Sequence, residues 1–142
     1  MDIAIASEAM CLCVLLDSTL TFAPHVHHLA GRCYYHLRQS QGVSIIDRSD
    51  NATKTMVHSF VINRIDYCNS VLYGMSAVHM RPLQNVLNSA ARVVLKMSKF
   101  QHNIAAVCDQ LHWLLVKQRG EFKQALFVYK VLRQTGPPYL VD

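Results

Sequence analysis

The sequence predicts a mainly α-helical fold: four or five amphipathic helices in a compact bundle behind a short N-terminal β-strand or hairpin element. From residue 25 onward, apolar residues recur at the spacing of one helix face, whereas residues 12–22 carry β-type runs on either side of a turn. With 142 residues, of which 51% are hydrophobic and 16% charged, the chain can bury one core of its own. The composition therefore excludes extended disorder and favours one domain.

The N-terminal element is expected to be a hairpin over residues 12–22, with its turn at Asp17-Ser18. Residues 1–11 are assigned to a leader and residues 12–141 to the helical domain. The first base of the chain is Arg32, so the positively charged start of a secretory signal is missing. We therefore expect an intracellular protein, nuclear or cytoplasmic.

Apolar periodicity and punctuation predict four or five helical segments after the hairpin, five when the short one at 103–111 is counted. Their ranges are 25–39, 51–72, 77–98, 103–111 and 116–134. Gln41-Gly42 interrupts the pattern after the first segment, and Thr135-Gly136-Pro137-Pro138 ends the last one. The predicted core positions of the first three segments are Val26, Leu29, Ala30, Cys33, Tyr34, Leu37, Val57, Phe60, Val61, Ile65, Cys68, Met80, Leu83, Leu87, Ala90, Ala91 and Val94. On the last segment, the stripe expected to be buried consists of Phe122, Ala125, Tyr129 and Leu132.

Positive charge is unevenly distributed along the chain. Residues 1–31 contain Asp2, Glu8 and Asp17 and no base, a net charge of −3. Residues 32–142 contain all 14 bases and the remaining six acids, a net charge of 14 − 6 = +8. This distribution favours a polyanionic partner such as nucleic acid. A basic surface without a ligand is the alternative explanation.

Eight bases fall into two helix stripes that contain no acid. At 100° per residue, four bases of the third segment lie within about 60° of one another and opposite its apolar face, and four bases of the last segment edge its apolar face. The eight are Arg81, Arg92, Lys96, Lys99, Arg119, Lys123, Lys130 and Arg133. Because two such rows can follow successive phosphates, we predict that these residues bind a nucleic-acid backbone. Ordinary solvated charges on amphipathic helices are the alternative.

The cysteines and histidines form no metal or catalytic motif. The odd set of Cys11, Cys13, Cys33, Cys68 and Cys108 contains no CxxC pair, and the histidine cluster at residues 25–28 has no second ligand pair. We therefore predict reduced cysteines, no metal and no cofactor. No cysteine is predicted to be a nucleophile, because nothing in the local sequence would lower the pKa of a thiol.

A family resemblance extends over several segments in order. The segments are Leu15–Phe22 with His25, Arg64–Gly74, Leu83-Gln84-Asn85 with Ala90-Ala91-Arg92, Leu111–Leu114 with Arg119 and Phe122-Lys123, and Tyr129–Leu140. Together they resemble the region that follows the catalytic core, including the thumb, in reverse transcriptases of non-LTR (LINE-type) retrotransposons. The resemblance covers about residues 12–141. Four places depart from the family pattern: Cys13 stands where a glycine is usual, Leu115 where a proline is usual, Gly120 where an aliphatic residue is usual, and Gln41-Gly42-Val43-Ser44 where the stretch is often rich in arginine.

The resemblance implies a thumb and adjacent C-terminal segment, a helical unit that packs against the template–primer duplex in these RNA-directed DNA polymerases. The implied partner is therefore an RNA–DNA hybrid or duplex. The palm of such a polymerase holds two metal ions through carboxylates that include an adjacent aspartate pair. The aspartates of this chain include no adjacent pair; they are Asp2, Asp17, Asp47, Asp50, Asp66, Asp109 and Asp142. No catalytic residue is assigned, and the isolated chain is not expected to be an enzyme.

The leading prediction is a fragment of a LINE-type reverse transcriptase that lacks the palm and binds nucleic acid weakly, without sequence preference. The alternative is a small α-helical protein–protein interaction module with no nucleic-acid role, whose exposed faces would carry hydrophobic anchors. A thumb detached from its palm is expected to expose an apolar patch, so self-association is a further expectation. No membrane partner is expected, because the longest apolar run, Ala9–Leu16, is far shorter than the ~20 residues of a spanning helix.

Overall fold

The computed structural model describes residues 6–46, 50–97 and 108–140. Within these ranges the chain forms five α-helices. The helices are α1 (Ala23–Ile46), α2 (Asp50–Val57), α3 (Asn63–Asp66), α4 (Ala77–Val94) and α5 (Val116–Leu132). A π-helical turn, His58–Ile62, joins α2 to α3, and 3-10 turns follow at Asn69–Leu72 and Pro138–Leu140. The predicted architecture, mainly helical behind an N-terminal hairpin, is confirmed.

The hairpin lies earlier in the chain than predicted. Strand β1 (Glu8–Cys11) pairs antiparallel with β2 (Val14–Asp17), so β1 comes from the segment assigned to the leader. The turn is Leu12-Cys13, and the predicted turn at Asp17-Ser18 is wrong. Leu12 and Cys13 have φ angles of 46° and 64°, the left-handed conformation that tight hairpin turns require. Cys13 therefore occupies a backbone position that favours glycine.

Asp17 has a different role from the one its sequence context indicated. Its carboxylate accepts hydrogen bonds from the Thr19 hydroxyl at 2.6 Å, the Thr21 hydroxyl at 2.9 Å and the Phe22 backbone N–H at 2.9 Å. These bonds, the Thr19 bond first among them, lower the pKa of Asp17 strongly. The side chain thus fixes the link between β2 and α1 instead of forming the hairpin turn.

Two further hydrogen bonds hold the hairpin against the helices. The Leu15 backbone N–H donates to Nδ1 of the buried His25 at 3.2 Å, and the Tyr67 hydroxyl donates to the Leu12 carbonyl at 2.9 Å. Burial first, and then the charge of His28, lower the pKa of His25. Because a two-stranded hairpin is marginal on its own in water, these contacts contribute to keeping it formed.

Several predicted helix boundaries are wrong. Helix α1 continues through Gln41-Gly42 to Ile46, because a single glycine costs a helix only about 1 kcal/mol. The second predicted segment ends at Asp66 instead of residue 72, since Cys68 adopts a φ of 52°. Helix α4 ends at Val94 instead of residue 98. Most of the predicted segment at 103–111 lies outside the described residues; residues 108–110 are helical.

The core lies between α1, the run from α2 to α3, and α4. Most of its predicted positions are confirmed as buried: Val26, Leu29, Ala30, Cys33, Leu37, Val57, Val61, Ile65, Leu83, Leu87, Ala90, Ala91 and Val94. Phe60 is an exception, 43% exposed, and its ring stacks on His36 with centroids 5.3 Å apart. The π-helical turn explains this, because residues in it advance by less rotation than in an α-helix. Val61 and Ile62 consequently face the core and Phe60 does not.

The predicted burial of the α5 stripe is wrong. Phe122, Tyr129 and Leu132 are 60%, 55% and 78% exposed, and Ala125 is exposed as well. The buried residues of α5 are Val116 and Gly120, and residues 125–130 are all exposed. The helix therefore docks through its N-terminal half, with its apolar stripe turned away from the core. None of the described helices combines the length and hydropathy needed to cross a membrane.

Candidate nucleic-acid interface

An ion pair between Arg119 and Asp66 fixes the N-terminal half of α5. One guanidinium nitrogen, Nη1, lies 3.1 Å and 2.9 Å from the two carboxylate oxygens of Asp66, while Nε donates to the Leu114 carbonyl at 2.8 Å. The side chain of Arg119 is only 12% exposed. Hydrogen bonds to charged partners are the stronger kind, so this contact orients α5 against the end of α3.

Three more polar contacts hold the same half of α5. Lys123 Nζ donates to the Asp66 carbonyl at 3.1 Å, and Gln124 Nε2 donates to the Ser70 carbonyl at 3.2 Å. The Val116 backbone N–H donates to Gln84 Oε1 on α4 at 3.0 Å. Lys123 thus satisfies a carbonyl at the C-terminus of α3, where a cation is also favoured by the helix dipole.

The predicted basic row of α5 is therefore divided in two. Arg119 and Lys123 have partners inside the molecule, whereas Lys130 and Arg133 are exposed. The Arg133 guanidinium lies 5.6 Å from the centre of the Tyr129 ring, within cation–π range. Only the second pair of bases is open to an external phosphate.

The predicted basic row of α4 is shorter than expected. Arg81 is exposed and, with Lys117, lines a cavity of about 600 Å³ between the start of α4 and the start of α5. Arg92 is half-buried, and its Nε atom is buried with no hydrogen-bond partner among the described residues. Lys96 is exposed but lies beyond the end of α4 with a φ of 54°, so helical periodicity does not place it. Lys99 lies outside the described residues.

Two of the acids close to α5 are neutralised by neighbouring bases. Asp66 is paired with Arg119, and Glu121 lies 3.7 Å from Lys117 across one helical turn. Arg81, Lys130 and Arg133 form no ion pair within the described part of the chain. The positive charge of these three side chains is therefore presented to solvent.

Neither a cluster of metal ligands nor an activated Cys33 thiol is found in the described ranges. No three residues among the described histidines, cysteines, aspartates and glutamates converge on a point that could hold a metal ion. Burial raises the pKa of the Cys33 thiol to about 11, with Arg64 and Arg32 acting weakly in the opposite direction. A thiol with such a pKa stays protonated and is a poor nucleophile.

The sequence analysis did not predict the residues that accept the hydrogen bonds of α5. They are Asp66, Ser70 and Gln84, all within segments that carry the family resemblance but none assigned a role. No pattern in the sequence marks them, because Asp66 follows Arg64 by two residues and its partner Arg119 lies 53 positions later in the chain.

Comparison with known proteins identifies no further site residues. Comparison with protein-family models, with curated proteins and with solved structures yields no match to this chain. The candidate interface therefore rests on the contacts and exposures of this chain alone.

Proposed function

We propose that this chain is a thumb-region fragment of a LINE-type reverse transcriptase that binds nucleic acid weakly and without sequence preference. The proposed partner is an RNA–DNA hybrid or duplex, and the contacts are the exposed bases Arg81, Lys96, Lys130 and Arg133. Arg119 and Lys123 instead fix α5. The fragment contains no palm, so we propose no catalytic activity for it and expect no primer extension with Mg²⁺ or Mn²⁺.

The proposed origin rests on the sequence resemblance over residues 12–141. The structure joins its segments within one folded unit. Asp66, in the segment Arg64–Gly74, is the partner of Arg119, which follows the tryptophan segment. His25 Nδ1 accepts a hydrogen bond from the Leu15 N–H, which links the two parts of the first segment.

Exposure of unpaired bases is the observation that carries the proposed activity. Arg81, Lys130 and Arg133 are exposed and have no carboxylate partner in the described residues, while Asp66 and Glu121 are paired. Phosphate contacts release condensed counterions and orient a protein on a duplex without reading its bases. Binding is therefore expected to be weak, strongly dependent on salt and indifferent to sequence.

A salt titration tests the proposal. Fluorescence anisotropy with a labelled RNA–DNA hybrid should give a slope of log K against log salt of about −3 to −4, since each neutralised phosphate contributes ~0.9 and the proposed contacts are four bases. The double variant Lys130→Ala/Arg133→Ala should reduce the slope by up to about two units. Both side chains are exposed, so the variant should keep the helical circular dichroism spectrum of the parent.

Lys54→Ala is the matched control, because Lys54 is an exposed base on α2 outside the proposed contacts. Its slope should equal that of the unaltered chain. Absence of binding to hybrid and duplex at ~50 mM salt, where electrostatic association is strong, would remove the nucleic-acid role. So would a slope that the Lys130→Ala/Arg133→Ala change leaves unaltered.

A second candidate function, a protein–protein interaction module, is favoured by one specific observation. The apolar stripe of α5 is exposed to solvent, and Phe122, Tyr129 and Leu132 are each more than half exposed. Such hydrophobic anchors distinguish a protein-binding face from a purely electrostatic one.

A further inference from the structure

The outer face of α5, defined here as Phe122, Leu126, Tyr129 and Leu132, is an apolar helix face left in contact with solvent. The exposures of these residues are 60%, 37%, 55% and 78%, and at 100° per residue they lie on one side of the helix. The opposite side, which meets the rest of the molecule, contributes the buried Val116 and Gly120 together with Lys123 and Gln124. An apolar face in water presents a surface that gains by being covered.

A groove beside this face provides a pocket for an anchoring side chain. It has a volume of about 450 Å³ and lies between the π-helical turn, the tryptophan segment and α5. Ile62, Trp113 and Leu114 line it together with Phe122 and Leu126 of the outer face. Interfaces concentrate their affinity where a bulky side chain fills such a desolvated pocket next to an apolar surface.

The charged groups around the groove and along α5 are mostly basic. Lys123 lines the groove, and the one acid there, Asp66, is bound to Arg119. From residue 117 to residue 140 the sequence contains five bases, Lys117, Arg119, Lys123, Lys130 and Arg133, and one acid, Glu121, which lies 3.7 Å from Lys117. A second copy of this chain would bring the same positive edge, whereas a partner with acidic edges complements it.

From the exposed stripe, the adjoining pocket and the basic edge, we propose that the outer face of α5 docks an amphipathic helix of a partner protein. The partner helix has an apolar stripe bordered by aspartate and glutamate. Its bulkiest apolar side chain enters the groove beside Phe122, and its acids approach Lys130 and Arg133. This proposal shares Lys130 and Arg133 with the proposed nucleic-acid contacts, but its apolar contacts make no use of phosphate, so the Phe122→Ser/Leu132→Ser variant below distinguishes the two.

Two synthetic helical peptides of about three heptads each test the proposal. Both carry leucine and phenylalanine on one stripe; the first has glutamate at the flanking positions and the second has lysine. In fluorescence anisotropy at ~0.15 M salt, where distant charges are screened, the glutamate-flanked peptide should bind at least ~10-fold more tightly than the lysine-flanked one.

Substitutions on the outer face should abolish this binding without unfolding the chain. Phe122→Ser/Leu132→Ser should weaken the glutamate-flanked peptide at least ~10-fold, as expected for loss of apolar anchors. Both residues are more than half exposed, so the melting temperature should not fall. Val78→Ser is the matched control, because Val78 is 69% exposed but lies at the start of α4. It should leave the affinity unchanged.

The charge component has its own test. Lys130→Glu/Arg133→Glu should reverse the preference so that the lysine-flanked peptide binds better, while Lys54→Glu on α2 should not. Equal affinity of the two peptides, no binding of either, or no effect of Phe122→Ser/Leu132→Ser would each overturn the proposal.

Three alternative occupants of the face give distinct results that also overturn it. A second copy would make the chain a dimer in analytical ultracentrifugation that Phe122→Ser/Leu132→Ser converts to a monomer. A lipid surface would give tighter binding to vesicles of anionic phospholipid than to the glutamate-flanked peptide. A single-stranded nucleic acid stacked on Phe122 and Tyr129 would displace the peptide and lose affinity with the same variant.

Discussion

Helices α4 and α5 are nearly equal in length, 18 and 17 residues, and both carry an apolar stripe at helical spacing. Helix α4 buries its stripe: Leu83, Leu87 and Ala90 have no exposed surface. Helix α5 exposes its own, and Phe122 and Leu132 are mostly in contact with solvent. The difference shows that periodicity identifies which residues share a face but not whether another element covers that face.

The two helices are also held by different interactions. Helix α4 lies between α1 and the run from α2 to α3, and its stripe is part of one continuous apolar core. Helix α5 contributes only Val116 to that core and is otherwise held by directional polar contacts, the Arg119–Asp66 pair above all, along its first half. Stability should therefore depend on apolar volume in α4 and on hydrogen bonds in α5.

The largest expected effect is on the free energy of unfolding, and it compares the apolar stripe of α4 with that of α5. Leu87→Ala should lower the free energy of unfolding by about 2–5 kcal/mol, because Leu87 is fully buried and its truncation leaves a cavity. Phe122→Ala, a larger truncation on α5, should change it by no more than about 0.5 kcal/mol. Urea unfolding followed by circular dichroism measures both. Similar losses for the two variants would mean that the α5 stripe is covered in solution.

An intermediate effect is expected for the polar contacts of α5. Arg119→Ala removes the bonds to Asp66 and Leu114, and should lower stability by about 1–2 kcal/mol. The value lies toward the lower end for charged hydrogen bonds because the Asp66 side chain is 39% exposed. Lys117→Ala, on the same helix, breaks only a surface pair whose lysine is 81% exposed, so it should cost less than about 0.5 kcal/mol. Equal effects would show that the Asp66 pair does not anchor α5.

The smallest expected effect is a pH dependence of stability that arises from the buried His25. Burial lowers the pKa of His25 below its ordinary value of 6.5, and only the unprotonated Nδ1 can accept the Leu15 N–H. Below pH 6.5 the unfolded chain binds more protons at this position than the folded chain, so stability should fall as the pH decreases. Above that value it should be constant with respect to His25. Burial lowers the pKa of His36 as well, which adds an effect of the same sign.

Thermal melts between about pH 7.5 and pH 5.5 measure this dependence. His25→Gln replaces the titrating acceptor with a neutral one and should reduce the pH dependence to the part that His36 contributes. His27→Gln is the control, because His27 is exposed on the same helix. A decrease in stability that His25→Gln leaves unchanged would assign the effect to other groups.

Much of the fold follows from local pattern. The stripe of Leu83, Leu87, Ala90 and Val94 was identified from spacing, and the structure confirms it as core. The predicted burial of Phe60 is wrong because the π-helical turn changes the rotation per residue, whereas the prediction assumes a constant 100°. The predicted position of the hairpin turn is wrong because Leu12-Cys13 carries no glycine or asparagine to mark its left-handed backbone. Asp17-Ser18 is typical of a turn, but Asp17 fixes the link between β2 and α1.

The candidate interface could be predicted only in part. Residue type and spacing found the bases, and Lys130 and Arg133 are indeed exposed. The same reasoning could not separate them from Arg119 and Lys123, because the difference depends on Asp66, more than fifty positions earlier in the chain. Long-range pairing of this kind leaves no periodic signal.

The one-sided docking of α5 also affects how its helix forms. The exposed half, from Leu126 to Leu132, is far below the ~12–15 residues at which an isolated helix becomes even marginally stable in water. Nucleation is the unfavourable step, and the contacts of Arg119 and Gln124 fix the first turns of the helix. Propagation from these turns then requires only one residue to be ordered for each hydrogen bond gained. The docked half is thus the nucleus on which the helicity of the exposed half depends.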